Sequence, residues 1–266
     1  DTGLLRDPNV GFDTPLLVGL HGLLLSPGRS LFLYNPVVLC GVVAWVWLLR
    51  RDRNTAWLFG GTVLSLLLVI AKMHQWDGGE SYGPRYLVPA LPFLLLPIAP
   101  WLAAGHARVA RQRLRVVFCT LAVIGILVQL PGVFVDFSKA QHDYARRRTD
   151  YSIGLTRYLI DASPLVLNTR MALDAIPKNG RFLLGLATPP EFRKDGTEEQ
   201  RDFSQQFAFS LDFFWLYLFY LGAIPAWVAM SLAASLVVGA VCGAWALRVA
   251  MAITAEPAPL RKMPAR

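Results

Sequence analysis

The sequence predicts an all-α integral membrane protein with about five transmembrane helices, and three observations carry that prediction. Of its 266 residues, 55% are hydrophobic and only 17% are charged. A soluble domain is about 25% charged, and the mean hydropathy of +0.43 points the same way. Apolar runs close to the roughly 17–25 residues that a bilayer crossing needs recur along the chain. The net charge is +8, and three short basic clusters lie between those runs or in the C-terminal tail.

Taken in order, residues 15–25 are apolar but too short to cross, so they predict an interfacial or re-entrant helix at the outer surface. Ser26-Pro27-Gly28-Arg29-Ser30 interrupts the pattern, because Pro and Gly punctuate regular structure. Residues 31–49 form the first expected span, with Asn35-Pro36 near its outer end. Residues 55–73 return outward, and 87–104 go in again. The third run carries Pro89, Pro92, Pro97 and Pro100 and should be kinked, with neighbours satisfying the freed carbonyls. Residues 116–135 are the fourth span. Residues 136–212 form a long outer segment, with short helices expected at 150–160 and 164–176, a turn at 177–180 and an extended piece at 181–186. Residues 189–202 are highly charged. Residues 213–221 read as an aromatic interfacial helix, and Pro225 opens a last span ending near Arg248. The expected organisation is therefore 1–135, 136–212, 213–253 and a tail at 254–266.

Orientation follows from the arginines. Arg50, Arg51 and Arg53 fall in one short loop, Arg108, Arg111, Arg113 and Arg115 in another, and Arg261, Lys262 and Arg266 in the tail. With five spans all three clusters share one side, which the positive-inside rule makes cytoplasmic. The N-terminus is then outside, the C-terminus inside, and residues 76–86 face outward. A six-span alternative needs a turn near Ala233. Bilayer spans split the basic residues, so nucleic acid is excluded as a partner. Cys40, Cys119 and Cys242 lie in apolar runs without metal-ligand spacing and read as packing residues. Asp1 opens the chain without a methionine or a signal-peptide pattern, and the expectation is the C-terminal part of a longer protein.

The chemistry concentrates in Trp76-Asp77-Gly78-Gly79-Glu80-Ser81-Tyr82-Gly83-Pro84-Arg85-Tyr86. Arg85 stands at the mouth of a span, where a planar guanidinium suits a lipid phosphate. Arg29 is a second outer-surface cation able to join it. Asp77 and Glu80 are expected to converge as base, acid–base pair or divalent-cation ligands, or one of them to pair with Arg85. Trp76, Tyr82 and Tyr86 read as an aromatic belt, or as rings that stack on a sugar or cover a prenyl chain. His21, His74, His106 and His142 show no ligand spacing, and His74 is a proton carrier or polar trim.

Ser26-Pro27-Gly28-Arg29-Ser30-Leu31-Phe32-Leu33-Tyr34-Asn35-Pro36 and Gly78-Gly79-Glu80-Ser81-Tyr82-Gly83-Pro84-Arg85-Tyr86-Leu87 resemble the C-terminal half of bacterial GT-C class membrane glycosyltransferases. That family is similar to the protein O-mannosyltransferases and uses polyprenyl-phosphate sugars. Gln129-Leu130-Pro131-Gly132-Val133-Phe134-Val135-Asp136 and Ser163-Pro164-Leu165 fit the same pattern, and the resemblance covers residues 15–165. It implies a multi-span plasma (inner) membrane protein and inverting sugar transfer from a lipid phosphate at the extracytoplasmic surface. It also implies a divalent metal, Mg or Mn, in some members. The acceptor, whether glycan, lipid or protein, is not implied. The family's catalytic acid lies in the first outer loop and has no counterpart here, so the catalytic residues are unassigned, or Asp77 and Glu80 if the chain is complete. The family pattern has an aromatic residue at the position of Glu80 and often no acid at that of Asp77. Arg85 and Arg29 would bind the phosphate, with Tyr82 donating to it and Trp76 and Tyr86 lining the site. The competing expectation is a non-catalytic scaffold or assembly subunit that binds a partner through 136–212. A transporter has no support, because the spans carry almost no ionisable residues at their centres.

Overall fold

The computed structural model describes residues 11–104, 108–147, 153–190, 207 and 209–255. All regular structure among them is helical. The chain divides into two compact units, Asp1–Lys178 with Arg193–Asp212, and Asn179–Phe192 with Phe213–Arg266.

In the first unit, α1 (Leu16–Leu25) leads through the Ser26–Ser30 loop to α2 (Leu31–Tyr34) and α3 (Val38–Arg51). Ser30 caps α2 by accepting from the Leu33 amide at 3.2 Å. The expected first span is broken in two at Asn35–Val37, because Pro36 has no amide hydrogen to continue the ladder. Asp52 caps α4 (Arg53–Lys72), accepting from the amide and hydroxyl of Thr55 at 3.2 and 2.6 Å. The proline-rich third run is a 3₁₀ segment (Arg85–Ala90) followed by α5 (Leu91–Leu95) and α6 (Ile98–Ala103). Then come α7 (Arg108–Phe134), α8 (Phe137–Arg146), α9 (Ile153–Tyr158) and α10 (Pro164–Leu183).

Two expectations fail in α10. The turn at 177–180 and the extended piece at 181–186 are both replaced by helix as far as Leu183. Pro177 lies inside that helix. A proline costs a helix one hydrogen bond, and here the helix continues through it. The charged segment at 189–202 lies almost wholly outside the described residues.

Four helical stretches are long and apolar enough to cross a membrane: Arg53–Lys72, Arg85–Ala103, Gln112–Phe134 and Ala226–Ala246. They expose many large apolar side chains, among them Leu64, Val69, Val116, Val123, Ile126 and Leu127. Such faces suit hydrocarbon, where small residues let helix backbones approach closely. A Cβ on Gly19 of α1 would strike the Ala71 backbone of α4, and one on Gly41 of α3 would strike the Leu94 carbonyl of α5. Leu23, Leu31, Val38, Ile70, Trp76 and Leu87 close the core beneath the 76–86 turn.

In the second unit, α11 (Phe214–Tyr220) carries the expected aromatic cluster and α12 (Ala226–Ala255) begins directly after Pro225. The stretch of it apolar enough to cross a membrane ends at Ala246, near the expected end at Arg248. The end of α10 from Asn179 on belongs to this unit, and the Tyr220 hydroxyl donates to Asn179 Oδ1 at 2.6 Å.

Gly28 shows how tightly the first unit is fitted. Its amide donates to the Arg157 carbonyl at 3.1 Å, and a Cβ there would run into the Thr156 carbonyl. Gly28→Ala should cost about 1–3 kcal/mol by overpacking. Gly61→Ala in α4, where a Cβ meets nothing within 4 Å, should leave stability unchanged or slightly raised. Thermal unfolding of both variants in one detergent checks the contrast.

Candidate functional site

The 76–86 turn is shaped by its glycines. Gly78, Gly79 and Gly83 have φ of 77°, 63° and 74°, a left-handed region that other residues enter only at a cost. The consecutive reversals at Gly78 and Gly79 send the two acids to different places. Asp77 is 1% exposed, whereas Glu80 is exposed. The expected convergence of Asp77 and Glu80 does not occur.

Nor does Asp77 pair with Arg85. Its Oδ2 accepts from Arg157 Nε at 2.9 Å, across 80 residues of chain. Its Oδ1 is buried without a hydrogen-bond partner. The Arg157 guanidinium lies 5.5 Å from the Trp76 ring centroid. Trp76 is itself buried, and a Cβ on Gly22 of α1 would collide with its ring. The tryptophan is therefore a packed floor under the turn and not part of an aromatic belt.

Arg29 is fully buried. It donates from Nη1 to the Gly28 carbonyl at 3.0 Å and from Nη2 to the Gly79 carbonyl at 2.6 Å, while its Nε is left without a partner. Phe137 covers it at 5.4 Å. Burial pulls its pKa below the usual arginine value; Asp77 opposes this, and Arg157 and Arg85 add to it. Three guanidinium groups and one carboxylate thus share one electrostatic neighbourhood.

Arg85 is the exposed member. It reaches the Tyr86 hydroxyl at 3.4 Å and stacks over that ring at 5.1 Å. The absence of a Cβ at Gly78 leaves room for its side chain, whose Nε would lie 3.2 Å from one. Tyr82 turns the other way. Its ring packs on Gly132 of α7 and its hydroxyl donates to the Val128 carbonyl. Burial raises its pKa. Tyr82 meets Tyr34 edge-on at 5.1 Å. A hydroxyl spent on α7 is not free to donate to a phosphate, so Tyr82 clamps the turn to the bundle.

A cavity of about 530 Å³ opens beside the turn, lined by Asp13, His74, Trp76, Asp77, Gly79 and Arg157 among others. Pockets for small ligands run from roughly 300 to 1,000 Å³. The residues do not fit a divalent cation. Asp77 is spent in part on Arg157, Glu80 points elsewhere, and no three His, Cys, Asp or Glu side chains come together among the described residues.

Of the expected site residues, Arg29, Arg85, Asp77 and Trp76 gather around one turn, with Tyr86 beneath Arg85. Sequence reasoning missed Arg157 and Asp13. Both lie far along the chain from the turn, and neither belongs to a motif. No protein-family model, curated protein or solved structure matches the chain.

Removing the Arg157 guanidinium strands a buried carboxylate. Arg157→Met should cost about 3–5 kcal/mol, and Arg157→Met combined with Asp77→Asn should recover part of it in a double-mutant cycle. A second expectation concerns Asp13, whose carboxyl is held below its ordinary value by a hydrogen bond from His74. Its stabilising effect is complete above the unfolded aspartate value of about 4 and is lost as pH falls below it. Protection of the His74 amide, which donates to the Gly11 carbonyl, should decline in that acidic window. Hydrogen exchange referenced to intrinsic rates measures it.

Proposed function

We propose that the chain belongs to a membrane glycosyltransferase that moves a sugar from a polyprenyl-phosphate donor to an extracytoplasmic acceptor. The observation that carries this reading is the gathering of Arg29, Arg85 and Arg157 around one glycine-rich turn beside a ligand-sized cavity. Two of these arginines come from the segments that resemble the GT-C class glycosyltransferases. In this reading α2 and α3 together make a fifth crossing, the arginine clusters face the cytoplasm, and the 76–86 turn faces outward across the plasma membrane of a bacterium.

An inverting transfer forms a bond from the acceptor oxygen to the anomeric carbon while the bond from that carbon to the phosphate oxygen breaks. The electron pair leaves with the phosphate, and the acceptor hydroxyl loses its proton. Arg85 is free to meet the phosphate as this charge develops, and preorganised donors stabilise such charge strongly. Arg29 supplies positive potential from behind the turn. Trp76 and Asp77, both buried, form the floor of the cavity and hold Arg157 in place beside it. Tyr86 holds Arg85 from below.

One observation favours the scaffold alternative. A second cavity of about 550 Å³ lies within the 136–212 segment, with Asp143, Arg147, Arg170, Asp174 and Lys178 around Met171. The mixed charges at its rim suit a protein partner.

Arg85→Ala should lower transfer from undecaprenyl-phosphate-linked hexoses by about 100-fold or more with membrane insertion unchanged. Equal losses of transfer and insertion overturn the role of Arg85. The pair Arg170→Glu and Lys178→Glu should leave transfer intact; a smaller native assembly with no transfer in any variant favours the scaffold.

A further inference from the structure

Residues 11–15 are strapped across the C-terminal end of α4. The Thr14 hydroxyl donates to the Met73 carbonyl at 2.8 Å, and the His74 amide donates to the Gly11 carbonyl at 2.8 Å. The third fastening is between side chains: His74 Nδ1 lies 3.0 and 3.1 Å from the two Asp13 oxygens. Immediately beyond the strap, α1 packs against α4 so closely that Gly19 has no room for a Cβ. The Asp13 and His74 pair is therefore held between two packed helices although both side chains are open to solvent.

The carboxylate settles which nitrogen of the ring carries hydrogen. Asp13 accepts, so Nδ1 donates, and in the neutral ring Nε2 keeps its lone pair. Nε2 has no partner among the described residues. Both side chains line the 530 Å³ cavity together with Asp77, Gly79 and Arg157. Lys72 lies close enough to stabilise the Asp13 carboxylate, and Asp77 and Arg157 are the other charged groups lining the cavity. Asp77 commits Oδ2 to Arg157 and its Oδ1 is buried, which leaves His74 as the cavity's accessible nitrogen base.

We propose that His74 is the general base of the transfer and that Asp13 is its positioning residue. This rests on the glycosyl-transfer reading above. His74 Nε2 takes the proton of the acceptor hydroxyl as that oxygen bonds to the anomeric carbon. The bond to phosphate breaks with its electron pair, and the imidazolium later returns its proton to water. A histidine whose second nitrogen is held by a carboxylate is oriented and tautomerically fixed for this step.

The test uses the full chain in vesicles. Diethyl pyrocarbonate acylates neutral imidazole, and exposed His142, whose Nδ1 faces the Ser138 carbonyl at 2.7 Å, serves as the internal reference. His74 should react faster than His142. Undecaprenyl-phosphate-linked hexose should protect His74 and not His142, and Asp13→Asn should bring the His74 rate down to that of His142. His74→Gln should cut kcat by about 100-fold or more with KM unchanged, and should remove the acidic limb of the pH–rate profile. Asp13→Asn keeps the imidazole and guards against misfolding of the glutamine variant; it should lower kcat less. Transfer by His74→Gln at the wild-type kcat overturns the assignment of the base alone. Wild-type protein that neither transfers the hexose nor shows protection of His74 overturns the glycosyl-transfer reading and the base with it.

Discussion

Arg29 and Asp77 are two of the three charged side chains buried among the described residues, the third being Lys139. Burying a charge is expensive unless it is paired and hydrogen-bonded. Arg29 meets that requirement through the Gly79 carbonyl, 50 residues away, and Asp77 through Arg157, 80 residues away. Each bond joins segments that share no local structure. The loop before α2, the turn before the 3₁₀ segment and helix α9 are thereby drawn to one point. Tyr34 extends the knot: its hydroxyl accepts from the Leu165 amide at 3.2 Å, and its carbonyl accepts from Gln129 Nε2 at 2.8 Å.

This economy divides the polar residues of the site into two groups. Arg29, Tyr82 and the Oδ2 of Asp77 hold the turn in shape, and their hydrogen-bonding capacity is largely spent on the protein. Arg85, the Oδ1 of Asp77 and the Asp13 and His74 pair retain capacity that the protein does not use. A binding site of this kind places its free groups on elements whose own geometry is over-determined by packing. The glycines serve the same end. Gly22 admits the Trp76 ring, Gly83 lies against Tyr34, and Gly132 admits the Tyr82 ring. Each permits an aromatic side chain to approach the backbone where a Cβ would hold it off.

Much of the architecture could be read directly from the chain. The apolar runs, the proline-kinked third run and the start of the last helix after Pro225 all follow from hydropathy and from the missing proline amide, which are properties of neighbouring residues. Pro177 misled for the same reason: a local helix-breaking signal predicted a turn where the helix continues. The importance of Arg29, Asp77 and Arg85 was legible because charge beside an apolar run is conspicuous. Their partners were not, since Glu80 and Arg85 sit close to Asp77 in sequence and Arg157 does not.

The sequence by itself determined that the chain is helical, apolar enough for a membrane, and polar at one glycine-rich turn. Only the tertiary structure decided that Asp77 faces Arg157, that Tyr82 is spent on Val128, and that Asp13 meets His74 at the mouth of a cavity. The reason is one of range. Hydropathy and backbone preference act between neighbours along the chain, whereas the pairing of a buried charge is settled by whichever partner the packed helices bring within about 3 Å.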